Sequence, residues 1–136
     1  RLDAITKLQP AKLFIMIGVN DLSRNMTPEE VAANYRKILE RVKSETPRTL
    51  VYIESVLPVN PATGMALNHT NKTPQIMELN GILKKLAAEF GYTYIDLFSV
   101  MADSSNYLPR KCSIDGLHLT YEGYRIWAEA IKEYVK

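Results

Sequence analysis

The chain has 136 residues, of which 46% are hydrophobic and 24% are charged, as in an ordinary globular protein that folds as one domain over residues 1–136. Its 17 basic and 15 acidic residues leave a net charge of +2, too small to indicate a nucleic acid or an anionic membrane as a partner. No apolar run approaches the roughly 18 residues of a membrane span. The single cysteine, Cys112, cannot form an internal disulfide, and the cellular compartment stays open.

The first third of the chain predicts a helix tail, a buried strand and a long amphipathic helix. Apolar residues at helical spacing over residues 1–8 predict a helix that ends before Pro10. Residues 12–17 form a continuous apolar run, which is typical of an interior strand in a parallel sheet. A Thr-Pro-Glu-Glu capping box that begins at Thr27 predicts a helix that ends near Ser44.

A second strand is predicted over residues 49–56, followed by a loop over residues 57–71 that is rich in Pro, Gly and Asn. Loops at the carboxyl edge of a parallel sheet shape ligand pockets. His69 lies in this loop, and we interpret it as an exposed polar residue in preference to a substrate contact.

The last third of the chain continues the alternation of helices and strands. A helix is predicted from Thr73 to a stop at Gly91, then a short strand over residues 92–96 and a loop over residues 97–114. Thr120 caps the final helix, whose predicted docking face contains Tyr124, Trp127, Ala128, Ile131 and Val135. This alternation predicts a three-layer α/β sandwich with a parallel sheet.

A carboxylate and a histidine lie three residues apart just before the final helix, as Asp115 and His118. A histidine general base needs a partner that fixes its tautomer, and a carboxylate on the same loop can supply it. The alternative is structural: Asp115 closes an Asx turn and His118 is a half-buried histidine with satisfied hydrogen bonds.

A second motif, Gly18-Val19-Asn20-Asp21, directly follows the apolar run over residues 12–17. This position puts an amide and a carboxylate at the carboxyl edge of the predicted sheet, where open α/β folds bind ligands. The amide of Asn20 could stabilise an oxyanion there. The alternative is an ordinary turn, because Gly, Asn and Asp all favour turns.

Together, G-x-N-D after a strand and D-G-L-H-L before the last helix resemble the SGNH hydrolases, the GDSL-type esterases and lipases. The resemblance runs from Pro10 to the C-terminus and includes Ser55-Val56-Leu57-Pro58-Val59-Asn60 and Gly123-Tyr124. It implies a flavodoxin-like three-layer α/β/α fold with strand order 2-1-3-4-5. The strands in this chain would be the third, fourth and fifth.

Members of that family carry a nucleophilic serine in a Gly-Asp-Ser block, and an oxyanion-hole glycine, upstream of G-x-N-D. This chain contains no Gly-Asp-Ser, and 17 residues precede Gly18. We therefore expect the chain to be the C-terminal portion of a longer protein, with the upstream segment as its partner. That segment would pair with the strand over residues 12–17, whose apolar edge is otherwise bare.

The resemblance implies ester hydrolysis through an acyl-serine intermediate. His118 would take the proton of the upstream serine, Asp115 would hold His118 in the required tautomer, and Asn20 would donate its amide to the oxyanion. Gly18 would form the tight turn that exposes Asn20, and Asp21 would organise that loop.

The residues of the motifs are most similar to those of the acetylhydrolase-type branch. This resemblance implies a small-molecule ester with a short acyl group, such as acetyl on a carbohydrate. No cofactor is expected, and no metal, because two histidines without a Cys or carboxylate cluster do not form a ligand set. Two alternatives stay open: a non-catalytic ligand-binding module on the same fold, and an unrelated flavodoxin-like regulatory or nucleotide-binding domain. The chain has no G-x-G-x-x-G or P-loop to favour the latter.

Overall fold

The computed structural model describes residues 2–136 of the chain. The helices are α1 (Leu2–Lys7), α2 (Val19–Ser23), α3 (Pro28–Glu45), α4 (Leu67–Thr70), α5 (Thr73–Phe90), α6 (Leu97–Met101) and α7 (Tyr121–Val135). The strands are β1 (Lys12–Ile15), β2 (Leu50–Glu54) and β3 (Thr93–Ile95), and two short 3₁₀ turns cover Pro61–Thr63 and Arg110–Cys112.

The three strands form one parallel sheet in the order β1-β2-β3. Leu13 pairs with Val51 across the first ladder, and Ile53 pairs with Tyr94 across the second. Because all three strands run in the same direction, the loops that follow them leave from the same edge of the sheet. The α/β class and the parallel sheet are therefore as the sequence predicts.

Alternate residues of a strand point to opposite sides of the sheet, so both faces of this sheet carry apolar side chains. Helices cover each face. Val51 and Ile53 of β2 pack in one core with the apolar faces of α3 and α5. Tyr52 points the other way, stacks on Phe14 with ring centroids 4.6 Å apart, and packs near Trp127 of α7. No helix within residues 2–136 is long and apolar enough to cross a membrane.

Strand β1 lies at an edge of this sheet, and β2 is its neighbour within residues 2–136. All four of its residues are half-buried, whereas the core residues of β2 are buried. The sequence predicts an interior strand here. The difference arises because the outer edge of β1 meets no other strand in the described part of the chain.

The two long helices begin and end where their local signals predict. The Thr27 hydroxyl accepts from the Glu30 N–H at 3.1 Å, and the Glu30 carboxylate accepts from the Thr27 N–H at 3.2 Å, so the capping box is complete. Gly91 ends α5 with a φ of 72°, in the left-handed region that glycine adopts easily.

Two predicted loops contain short helices that the sequence analysis missed: α4 lies within residues 57–71, and α6 within residues 97–114. The predicted docking face of α7 is partly wrong. Trp127 and Ile131 pack against the sheet as expected, but other members of that face are exposed: Tyr124, Ala128 and Val135. The packed face is rotated toward Ala130 and Tyr134.

Candidate active site

Asp115 and His118 form a hydrogen-bonded pair on the loop before α7. Oδ2 of Asp115 lies 2.7 Å from Nδ1 of His118. A carboxylate can only accept, so Nδ1 carries a proton, and in the neutral form of the imidazole the lone pair is on Nε2. The His118 side chain is 79% exposed, so that nitrogen is accessible to a reacting group.

The second oxygen of Asp115 holds the backbone of the loop by accepting hydrogen bonds. Oδ1 accepts from the backbone N–H groups of Leu117 at 2.9 Å and His118 at 2.8 Å, and from the Ser113 hydroxyl at 3.2 Å. The hydrogen bond to the His118 ring, followed by these backbone hydrogen bonds, holds the pKa of Asp115 well below its usual range. The carboxylate therefore stays ionised beside the imidazole at neutral pH.

The loop that carries the pair is fastened to the segment after β2. The Asn60 N–H donates to the Gly116 carbonyl at 2.9 Å, and the Thr63 hydroxyl donates to the Asp115 carbonyl at 2.9 Å. The Asn60 side chain is buried and donates to the Leu108 carbonyl at 2.9 Å. Gly116 has a φ of 84°, and a Cβ there would lie 2.2 Å from the Asn60 carbonyl oxygen, so the close approach requires glycine.

Gly18 produces the turn that presents Asn20. Its φ is 131°, a conformation that residues with a Cβ rarely adopt, and an added Cβ would also make a tight contact of 3.0 Å with the Leu79 side chain. Asn20 follows in the first turn of α2 and is exposed. Asp21 shapes the end of α2 through its backbone carbonyl, which accepts from the N–H groups of Arg24 and Met26. A role for the Asp21 carboxylate stays a prediction.

Asn20 and His118 line the same cleft, which has a volume of about 410 Å³. The cleft lies at the carboxyl edge of the sheet. Its walls come from the segments after β1 and β2, from the loop before α7 and from the first two turns of α7: Met16, Ile17, Val19, Val56, Leu57, Pro58, Val59, Leu117, Leu119, Tyr124 and Trp127. The structure thus brings together the two motifs that lie about a hundred residues apart in the sequence. Asn20 and His118 therefore share one cleft, and Asp115 is hydrogen-bonded to His118.

The side chain of Glu54 also lines this cleft, and the sequence analysis did not identify it. It ends β2, is only 4% exposed, and accepts from the Trp127 indole N–H at 3.0 Å. Burial raises the pKa of Glu54. A charged residue at the end of an apolar strand was the available signal.

A buried asparagine fixes the end of β2, and it too was missed. The side-chain amide of Asn80 makes two hydrogen bonds to the backbone of Val56. Its Oδ1 accepts from the Val56 N–H at 2.8 Å, and its Nδ2 donates to the Val56 carbonyl at 3.0 Å. Asn80 lies on α5, so this contact ties the cleft wall to that helix. A polar residue within the apolar face of α5 was the signal in the sequence.

The structure places His69 beside Asn20, and the residue is half-buried where the sequence predicts an exposed polar residue. Nε2 of His69 lies 3.1 Å from Oδ1 of Asn20. His69 belongs to the short helix α4, which the sequence analysis took for loop. Nothing in the local sequence indicates a contact across 49 positions.

Fold and site together define a class of protein. The model of the GDSL-like lipase/acylhydrolase family matches residues 1–126, and the chain belongs to that family. The GDSL esterase/lipase WDL1 of Oryza sativa subsp. japonica is 28% identical over an alignment of 143 positions. The alignment covers 95% of this chain and 55% of that protein. The chain therefore spans about half the length of this curated relative.

Solved structures share the fold. A GDSL-like lipase from Bacteroides thetaiotaomicron superposes with a TM-score of 0.83 at 24% identity, covering 98% of this chain and 65% of that one. An acetyl-xylooligosaccharide esterase from Geobacillus, as a point mutant, superposes with a TM-score of 0.73 at 18% identity, covering 95% of this chain and 61% of that one. The SGNH hydrolase fold that the resemblance implies is confirmed.

Proposed function

We propose that this chain is the C-terminal portion of a serine carboxylic ester hydrolase, in which it supplies the general base and one oxyanion donor. The nucleophilic serine lies on the segment that precedes residue 1. The observation that carries the proposal is the 2.7 Å hydrogen bond between Asp115 and Nδ1 of His118, in a cleft that Asn20 also lines.

The chemistry follows from the roles of these groups. The serine oxygen attacks the ester carbonyl while Nε2 of His118 takes its proton, and Asp115 stabilises the imidazolium that forms. The amide of Asn20 donates to the oxygen that becomes negative. When the tetrahedral intermediate collapses, His118 returns the proton to the leaving alcohol, and an acyl-serine remains. Water then attacks the acyl-serine by the same route, which releases the acid and restores the serine.

The edge of β1 supports an upstream partner segment. Its residues are half-buried, and Ile17 beyond its end is 43% exposed. An apolar strand with unpaired backbone groups and exposed side chains is stabilised by a further parallel neighbour. We therefore propose that the upstream segment adds a strand beside β1 and brings the serine to the cleft.

For the substrate we propose an ester with a short acyl group, with acetyl on a carbohydrate as the first candidate. Its support is the resemblance of the motifs to the acetylhydrolase-type branch, together with the shared fold of an acetyl-xylooligosaccharide esterase. A comparison of 4-nitrophenyl acetate, butyrate and octanoate tests this choice, and acetate should have the highest kcat/KM.

The main test compares residues 1–136 alone with the extended polypeptide, which we define as residues 1–136 joined to the segment that precedes them. The extended polypeptide should hydrolyse 4-nitrophenyl acetate, and His118→Ala should abolish that activity. Residues 1–136 alone should be inactive and poorly soluble. An inactive extended polypeptide would instead favour a non-catalytic ligand-binding module, and hydrolysis by residues 1–136 alone would contradict an upstream nucleophile.

A further inference from the structure

A hydrogen bond joins the imidazole of His69 to the side-chain amide of Asn20, with 3.1 Å between Nε2 and Oδ1. An amide oxygen carries no hydrogen, so the ring nitrogen must be the donor and Nε2 holds the proton. With Oδ1 engaged in this way, the NH₂ group of Asn20 remains for a second partner. Within residues 2–136 that NH₂ group makes no hydrogen bond, and Asn20 lines the cleft.

The orientation of this amide decides its effect on the reaction. An asparagine side chain can rotate so that either its NH₂ group or its oxygen faces the cleft. The NH₂ group stabilises a developing oxyanion, whereas the oxygen repels it. A donor fixed next to Oδ1 therefore selects the productive orientation before the substrate binds, and a preorganised donor needs no rearrangement during the reaction.

The helix that carries His69 is fastened to the segment that carries Asn20. Helix α4 packs against α2. Thr70 is fully buried and its hydroxyl donates to the Met65 carbonyl at 3.0 Å, which closes the turn of α4. A second contact lies just beyond: the Lys72 ammonium donates to Oδ1 of Asn25 at 3.1 Å. The packing of α4 on α2 and the contact between Lys72 and Asn25 keep His69 next to Asn20, and the Thr70 hydrogen bond holds the turn of α4 itself.

We propose that His69 is a positioning residue for the oxyanion donor, because its Nε2–H holds the Asn20 amide with the NH₂ group toward the reacting carbonyl. The inference rests on the proposed function, since it requires Asn20 to stabilise the oxyanion. His69 itself does not touch the substrate in this account, and its effect is exerted through Asn20.

The test is a set of variants of the extended polypeptide assayed with 4-nitrophenyl acetate. His69→Phe keeps a ring of similar shape and removes the donor, and it should lower kcat about 10-fold, the kinetic equivalent of one neutral hydrogen bond. KM should not change, because the oxyanion exists only in the transition state. His69→Gln should restore most of kcat, because its amide N–H can donate to Asn20. Asn68→Ala, an exposed neighbour on α4, is the matched control and should retain full activity.

A double-mutant cycle separates this inference from the proposed function. Asn20→Ala should lower kcat by about 10²- to 10³-fold, the usual effect of losing an oxyanion donor. His69→Phe should then cause no further loss in the Asn20→Ala background. An equal loss in both backgrounds, a change in KM alone, or full kcat in His69→Phe overturns the role of His69. Unchanged kcat in Asn20→Ala overturns the oxyanion role within the proposed function itself.

Discussion

At the scale of single residues, the two oxygens of Asp115 perform different tasks. One closes an Asx turn by accepting from two backbone N–H groups, and the other binds the imidazole of His118. The structural and the catalytic interpretations of the D-x-x-H motif therefore describe the same carboxylate. The turn and the imidazole therefore share one anchor.

The hydrogen bonds of Asp115 predict a pH dependence of stability. They hold its pKa in the folded state well below its usual range, whereas in the unfolded chain it titrates near its ordinary value of about 3.9. Its contribution to the free energy of unfolding is therefore fully present above about pH 4, and it declines as pH falls toward the folded pKa. The Tm difference between wild type and Asp115→Asn should shrink between pH 7 and pH 3.

Thermal unfolding of the extended polypeptide and of Asp115→Asn across this range checks the sign. The His118 ring makes the largest contribution to the shift, so His118→Ala should weaken the pH dependence of the wild type. A Tm difference that stays constant, or grows toward pH 3, would mean that Asp115 is not held ionised by these contacts.

Asp115, His118 and the G-x-N-D motif could be found from the sequence because the polar residues of each motif lie within four consecutive positions. The hydrogen-bond partners of His69, Asn60 and Asn80 could not be found in this way. Their partners lie 49, 48 and 24 positions away. A hydrogen bond over such a separation is set by how the loops pack at the sheet edge, and the local sequence does not encode it.

At the scale of elements, the position of the base depends on a loop-to-loop contact more than on a helix. Gly116 lies against the backbone of Asn60, and the two share a hydrogen bond of 2.9 Å. The contact connects the loop before α7 to the segment after β2. Any side chain at position 116 must separate them, and His118 moves with the loop.

Gly116→Ala should therefore reduce both stability and activity. The added Cβ would lie 2.2 Å from the Asn60 carbonyl oxygen, in a residue whose φ is 84°. We expect a loss of stability of about 1–3 kcal/mol from the strained backbone alone, and a fall in kcat of about 10²-fold from a misplaced base. Tm and kcat of the extended polypeptide measure the two effects.

Gly64→Ala is the matched control for this prediction. Gly64 also has a positive φ, of 73°, but an added Cβ there meets no atom within 4 Å. It should therefore lose some stability through its φ and keep its kcat. Equal effects of the two substitutions on kcat would show that the contact between Gly116 and Asn60 does not position His118.

The long elements could be predicted because their signals are local and strong. The capping box at Thr27 and the glycine at position 91 set helix boundaries through hydrogen bonds and backbone conformation within a few residues of the helix end. Helices α4 and α6 have four and five residues and are too short to show a period. The packed face of α7 is predicted only in part: Trp127 and Ile131 meet the sheet, but an apolar arc this wide does not show where that face ends.

At the scale of the whole molecule, the chain spans about half the length of the curated relative that it matches. Asn20 and His118 line one cleft, Asp115 is hydrogen-bonded to His118, and the edge strand β1 is half-exposed. Two features lie where the proposed upstream segment would act: the edge of β1 and the Nε2 atom of His118. A single upstream segment that adds a strand and carries the serine would satisfy both.

The most direct measurement of this account is the site of covalent labelling by a serine-directed fluorophosphonate probe, located by peptide mass spectrometry on the extended polypeptide. The label should lie on one serine upstream of residue 1, and His118→Ala should prevent the labelling because the serine then has no base. A label on a serine within residues 1–136, or labelling that is unchanged by His118→Ala, would contradict the account.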